Sequence, residues 1–366
     1  MNSRERVRLA VQHQETDRLP IDFIARDEIA QALAAHFHAP DGEALLQRLN
    51  VDLRPVGPTI KQQASPICYA DPTIAVRHDD QLQSDVFYDI WGVGFVRKYA
   101  LGGEYLDLVH SPLRDKGSLD DLAAYPFPTA DIWDYDTIAD QTARHGDYCL
   151  WAHSRGFFEI SWFMRGMDQF MLDLNLNREY AETLMDRIID YLLDRTVRIL
   201  EADRNRRIDI VEINDDVGGQ HGLLLSPELW REFIRPRMDR MIRRIKQFGV
   251  LIRYHSCGGI REIIPDLIEL GVDILNPVQP LARGMELDGL KRDFGARITF
   301  DGGVDTQRLL PHRHADEFEA QTRDILRMMG RDGGFIMAPS HALQTDVPLE
   351  NILKLYELSA LPLDRI

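Results

Sequence analysis

Two hydrophobic rhythms alternate along this chain. From Tyr148 onward, short aliphatic runs are separated by longer stretches with apolar residues at helical spacing. The runs Tyr148–His153, Ile208–Ile213, Val250–His255, Asp273–Pro277, Arg297–Asp301 and Gly334–Ala338 read as strands. Between and after them Tyr180–Glu201, Pro227–Phe248, Ile260–Leu270, Ala315–Met329 and Leu349–Leu358 read as helices. Pro227 directly after Ser226 is the expected order of cap and first-turn proline. Such alternation predicts an α/β fold with a parallel sheet and helices outside it.

Upstream, Ser3–His13 reads as an amphipathic helix with Ser3 as its cap, followed by a first strand at Arg18–Ala25 and helices over Glu28–His36 and Asp41–Leu49. With a further strand at Leu53–Val56 the count reaches the eight of a (β/α)8 TIM barrel. A doubly wound sheet is the alternative, but no Gly-x-Gly-x-x-Gly turn follows any strand. Phe87–Tyr99 and Glu104–His110 around Gly102 and Gly103 read as a β-hairpin, an interruption in the α/β repeat. The expectation is one domain over residues 1–366, with N-terminal helices and the first strand in 1–60 and an inserted hairpin at 85–110.

In a barrel, the residues that follow the strands share one rim, where such folds keep their chemistry. Here they include Asn214, Asp215 and Asp216; His255 and Cys257; Asn276 and Gln279; Asp301; and Ser340 and His341. His255 and Cys257 stand two apart at a strand end, so their side chains project to one side, and imidazole and thiolate are preferred zinc ligands. The plainer alternative is a packed thiol and a histidine bonded to a backbone carbonyl. His341, arriving after the eighth strand, would complete a set of three ligands with an open fourth position. Two adjacent carboxylates point different ways, so one of Asp215 and Asp216 is expected to enter the site while the other caps backbone or meets solvent. Asn276 would help to orient substrate, Trp162 could wall a flat ligand, and Gln220, Gln279 and Asp301 are further candidate cofactor contacts. Asp89, on the inserted hairpin, reads as a solvated charge; Cys68 and Cys149 read as packing residues and His312 as a surface histidine.

Composition narrows the partners. A net charge of −16 disfavours nucleic acid, anionic membranes and highly carboxylated substrates. Three scattered cysteines are too few for a disulfide framework, and no apolar stretch has membrane-spanning length, so a cytoplasmic protein is expected.

Several stretches together resemble the uroporphyrinogen decarboxylase superfamily. They are Ser3-Arg-Glu-Arg-Val-Arg with Asp17-Arg-Leu-Pro20, Asp215-Asp-Val-Gly-Gly-Gln220, Leu225-Ser-Pro-Glu-Leu-Trp230, His255-Ser-Cys-Gly258, Asp273-Ile-Leu-Asn-Pro-Val-Gln-Pro280, Phe300-Asp-Gly-Gly-Val-Asp305 and Pro339-Ser-His341. The resemblance implies the TIM barrel and one of two chemistries. Decarboxylases of this kind bind an octacarboxylate tetrapyrrole without a cofactor, using an arginine-rich N-terminal motif; here Asp22-Phe-Ile-Ala-Arg-Asp27 carries one arginine. Asp89 matches that branch's central aspartate and His341 its pocket histidine. The cobamide-dependent methyltransferases carry His-x-Cys-Gly and a later Cys on zinc; His255 and Cys257 match, and His341 or a neighbour stands for the later Cys. The leading expectation is therefore a zinc-assisted methyltransferase exchanging methyl with a corrinoid on a separate protein. Porphyrinogen decarboxylation and a non-catalytic corrinoid-binding barrel are the alternatives. The expected partners are a small-molecule substrate, a corrinoid protein and, in a homodimer, a second copy of the chain.

Overall fold

The computed structural model describes the chain apart from residues 62–64, 69–70, 101–102 and 312–313, together with the side chains at 65–68, 100, 103 and 315. The expectations for the Cys68 side chain, His312 and Gly102 fall outside that description. Seven parallel strands lie side by side in the order Leu53–Val56, Cys149–Arg155, Ile208–Asn214, Leu251–His255, Ile274–Val278, Thr299–Gly302 and Phe335–Ile336. The predicted first strand shrinks to isolated parallel bridges, Ile21 to Met337 and Ala25 to Leu343. Those bridges still join the sheet's two edges: Met337 N–H donates to Pro20 at 2.8 Å, and Asp52 N–H donates to Ile21 at 2.8 Å. The sheet thus curls into the expected barrel with helices outside.

The barrel interior is layered. At its base Leu53, Cys149, Ile210, Ile274 and Ile336 form an apolar cluster sealed by Val7 of the helix Ser3–Val11. That helix is capped by Asn2 rather than Ser3, through a reciprocal bond pair with Glu5. It is pinned by Arg4 and Arg8, which lie 2.9 and 2.7 Å from the buried carboxylate of Asp209. Above the base, Arg253 reaches Glu212 at 2.7 Å, Asp22 at 2.9 Å and Asp301 at 3.1 Å, its guanidinium lying over the Trp151 ring. A charge so deep needs such partners, since an unpaired buried ion costs several kcal/mol. One step higher, in register, come Arg155, Asn214, His255 and Asn276.

Two predicted elements are rebuilt. The 85–110 hairpin is part of a five-stranded antiparallel sheet, Ser65–Cys68, Asp71–Asp79, Ser84–Asp89, Gly94–Ala100 and Gly103–His110. Phe87–Tyr99 is not one strand, because Asp89 accepts the N–H groups of Trp91 and Val93 and turns the chain between them. The predicted helix Pro227–Phe248 starts at Ser226 as expected, then passes through a π-turn at Trp230–Ile234 before the helix Arg235–Lys246. Pro236, without an N–H, accounts for that interruption. The helices Leu119–Ala124, Ile138–Arg144, Met167–Leu176 and Leu287–Phe294 were not anticipated from the pattern. No helix among the described residues is long and apolar enough to cross a membrane.

Candidate active site

At the C-terminal end of Leu251–His255, the imidazole of His255 and the thiol of Cys257 meet the carboxylate of Asp216, which leaves the neighbouring strand Ile208–Asn214. One ligand atom from each lies within 4.8 Å of the other two. Cys257 Sγ is 3.9 Å from His255 Nε2, and Asp216 Oδ1 is also 3.9 Å from that nitrogen. The other ring nitrogen, Nδ1, sits 2.6 Å from Asn276 Oδ1. An amide oxygen can only accept, so Nδ1 carries the proton and the Nε2 lone pair faces the thiol and carboxylate.

The loop that presents Cys257 is held from three sides. Asp216 accepts from Cys257 N–H at 2.8 Å, and Gln279 accepts from Gly258 N–H at 3.0 Å. The tight hairpin Gly218–Leu223 closes over it through a bond from Gly259 N–H to the Gly219 carbonyl. Gly258 has φ of +83°, and a Cβ there would come within 2.6 Å of the Gly218 and Gly219 backbone. Burial pushes the Cys257 thiol up, and the charges of Asp216 and Glu159 push it further.

Asp215 and Asp216 divide as their adjacency demands. Asp215 is fully buried and accepts the Glu159 and Phe158 N–H groups at 2.8 and 3.2 Å, capping the helix Phe157–Arg165. Burial pushes its carboxyl up to about 8 against those two bonds, with Glu159 and Asp216 adding to the rise. It fastens a helix and is shut off from solvent. Gly156 makes room for it, since a Cβ at that position would lie 2.1 Å from Asp215.

Beside the three-residue cluster opens a cavity of about 530 Å³, a size that suits a small molecule. Cys257 and Gln279 are in its wall, as are Gln220, Ser340 and His341. His341 is absent from the close group formed by Asp216, His255 and Cys257. It is half-buried, and burial followed by the nearby His255 lowers its basicity.

Three candidates lie elsewhere. Asp301 is fully buried beneath the site, paired with Arg253, where burial and the carboxylates of Asp22 and Glu212 push it up to about 7 against the guanidinium's pull. Asp89 is not solvated: it is buried, its carboxylate holds the Trp91–Val93 turn, and burial plus the adjacent Asp71 raise it well above the ordinary range. Trp162 is half-buried against Phe163 and is not in the cavity wall.

Arg155 stands at a strand end, where a rim residue is expected, but sequence reasoning did not foresee its buried ion pair with Glu159 at 3.0 Å or its approach to 3.3 Å of Asp71 in the inserted sheet. The pair fastens that sheet to the barrel mouth, and Glu159 acts electrostatically on both Cys257 and His255. Arg253 and Glu212 were also missed. Strand alternation carried the signal, since an arginine two places before His255 must share its face.

A family model described as uroporphyrinogen decarboxylase (URO-D) matches residues 138–360. Uroporphyrinogen decarboxylases of two Thermus thermophilus strains are each 27% identical over 177 residues, and the matched segment spans about half (48%) of this chain and of each relative. A solved structure titled as a methyltransferase from Methanosarcina mazei superposes with a TM-score of 0.64 over 98% of both chains at 17% identity, a likeness of fold. On the extent of the family match, this chain belongs to the uroporphyrinogen decarboxylase family.

Proposed function

We propose that this protein is a methyltransferase that exchanges a methyl group between a small substrate and a corrinoid carried by a partner protein, with zinc held by Asp216, His255 and Cys257. The observation that carries the reading is that cluster at the barrel mouth: three donors of types that bind zinc, of which Cys257 lines a small-molecule cavity. Bond lengths near 2.0–2.3 Å in a tetrahedral site put ligand atoms roughly 3.3–3.8 Å apart, and the two 3.9 Å separations lie just above that range, so that a small inward shift of the side chains would close the shell on the ion. Bound there, zinc would supply Lewis acidity toward a substrate sulfur or oxygen and hold Cys257 as thiolate.

The chain's own residues do the rest. Asn276 fixes the imidazole with Nε2 toward the cluster, and Gln279 and Asp216 hold the Cys257 loop rigid. The methyl group moves as a formal cation. Its bond to the donor breaks with the electron pair left on the donor, the acceptor's lone pair forms the new bond to carbon, and the acceptor's proton leaves. His341, at the cavity wall with its basicity lowered by burial, would take that proton.

The test is metal content together with turnover. Protein purified without chelator should contain about one zinc per chain and should demethylate methylcobalamin in the presence of a small thiol. Cys257→Ala and Asp216→Ala should lose the metal, whereas His341→Ala should keep it and lose rate. A metal-free wild type, or a Cys257→Ala variant of full activity, would overturn the reading.

Decarboxylation is the second reading, favoured by the Thermus relatives. Against it stands the cavity wall, which among the described residues includes no arginine or lysine to meet substrate carboxylates. Asp89 is also committed to backbone N–H groups. Loss of carboxylates from uroporphyrinogen on incubation with the protein would reinstate this reading.

A further inference from the structure

We infer that the small substrate of this site is a neutral or cationic polar molecule, and that anionic ones are rejected. The inference rests on the methyl-transfer reading for which molecule it concerns, but its grounds are the cavity wall itself. The wall offers the amides of Gln220, Gln307 and Gln344, the hydroxyls of Thr306 and Ser340, and one full charge, the carboxylate of Asp346. Amides and hydroxyls both donate and accept, so they satisfy an alcohol, an amide or an ammonium equally well. The only basic side chain in the wall, among the described residues, is His341, an imidazole and not a permanent cation. Arg26 and Arg308 are exposed and not in the wall, and Arg26 bears on it only through its electrostatic action on His341, from the solvent side.

An anion entering this cavity would give up water without gaining a charged partner, which is a costly exchange. The metal would not reverse the balance. A dication held by the carboxylate of Asp216 and the thiolate of Cys257 carries no net positive charge. The molecule's net charge of −16 adds a long-range field of the same sign. Cations gain from both, and neutral molecules lose nothing.

The test uses three thiols that share an HS–CH2–CH2– stem and differ in the charge of the group it carries: 2-mercaptoethanol, cysteamine and 3-mercaptopropionate. Binding is measured by ligand-observed NMR competition, independently of turnover, and methyl transfer from methylcobalamin is followed separately by absorbance. The alcohol and the amine should bind at least about tenfold more tightly than the carboxylate, a gap of about 1.4 kcal/mol. That order supports the inference even if no methyl moves, in which case only the methyl-transfer reading fails. Equal or tighter binding of 3-mercaptopropionate overturns the inference while leaving methyl transfer open, and so does failure of all three to bind. Asp346→Arg, an exposed substitution at the wall, should narrow or reverse the gap. An unchanged order in that variant would show that the wall does not set selectivity, and would overturn the inference too.

Discussion

The site turns on which atoms face which. His255 was expected to share a metal with His341, but the side chain that stands with it and Cys257 is Asp216, from the next strand. Legibility at this scale was partial: one of two adjacent carboxylates had to turn away, yet only packing of the helix Phe157–Arg165 on Asp215 decides which. The Asn276 contact to His255 makes a specific prediction. Asn276→Ala removes the acceptor that fixes the ring and should weaken zinc binding about 10–100-fold in competition with a chromophoric chelator. Unchanged affinity would mean the ring is held by packing alone. Asp301 makes another. Its carboxyl, pushed up to about 7 chiefly by burial, keeps a proton in the folded state that the unfolded chain has already released. The stability so gained is full below the ordinary carboxylate range and drains away as pH rises through about 7. Asp301→Asn cannot ionise, so its urea midpoint relative to wild type should improve from about pH 5 to about pH 8. A difference that stays constant with pH would refute the assignment.

At the scale of elements, the strands and long helices from Tyr148 onward were readable because their periods differ and each is long enough to show it. The failures have local causes. A single aspartate folded Phe87–Tyr99 back on itself, and a proline placed a π-turn inside a predicted helix. The first strand kept its place, but only as bridges at Ile21 and Ala25. The Cys257 loop depends on a left-handed residue at its tightest point, where side chains are strained by about 1–3 kcal/mol. Gly258→Ala should therefore lower stability by at least that amount in urea unfolding, with the backbone of Gly218 and Gly219 adding a clash. A neutral outcome would mean that the hairpin can retreat. The base of the barrel offers a charge test. Removing both guanidiniums by Arg4→Ala with Arg8→Ala strips the buried Asp209 of these two ion pairs, and should cost about 3–5 kcal/mol.

For the whole molecule, the layering explains how an acidic chain supports a site inside a closed sheet. An apolar base sealed by the N-terminal helix carries a buried ionic layer around Arg253, and that layer carries the polar mouth. The inserted sheet is joined to the mouth by Asp71 and Arg155. The barrel could be foreseen from alternation and count, and the rim from strand ends. The ionic layer could not be seen in outline, because its members, Asp22, Glu212, Arg253 and Asp301, are spread over four strand segments that only closure of the sheet brings together. The central claim is that Asp216, His255 and Cys257 hold one zinc ion, and X-ray absorption at the zinc edge on protein purified without chelator reads that shell directly. The account predicts about one zinc per chain, with a single sulfur near 2.3 Å and nitrogen and oxygen ligands near 2.0–2.1 Å. Zinc without a sulfur ligand, or no zinc at all, would contradict it.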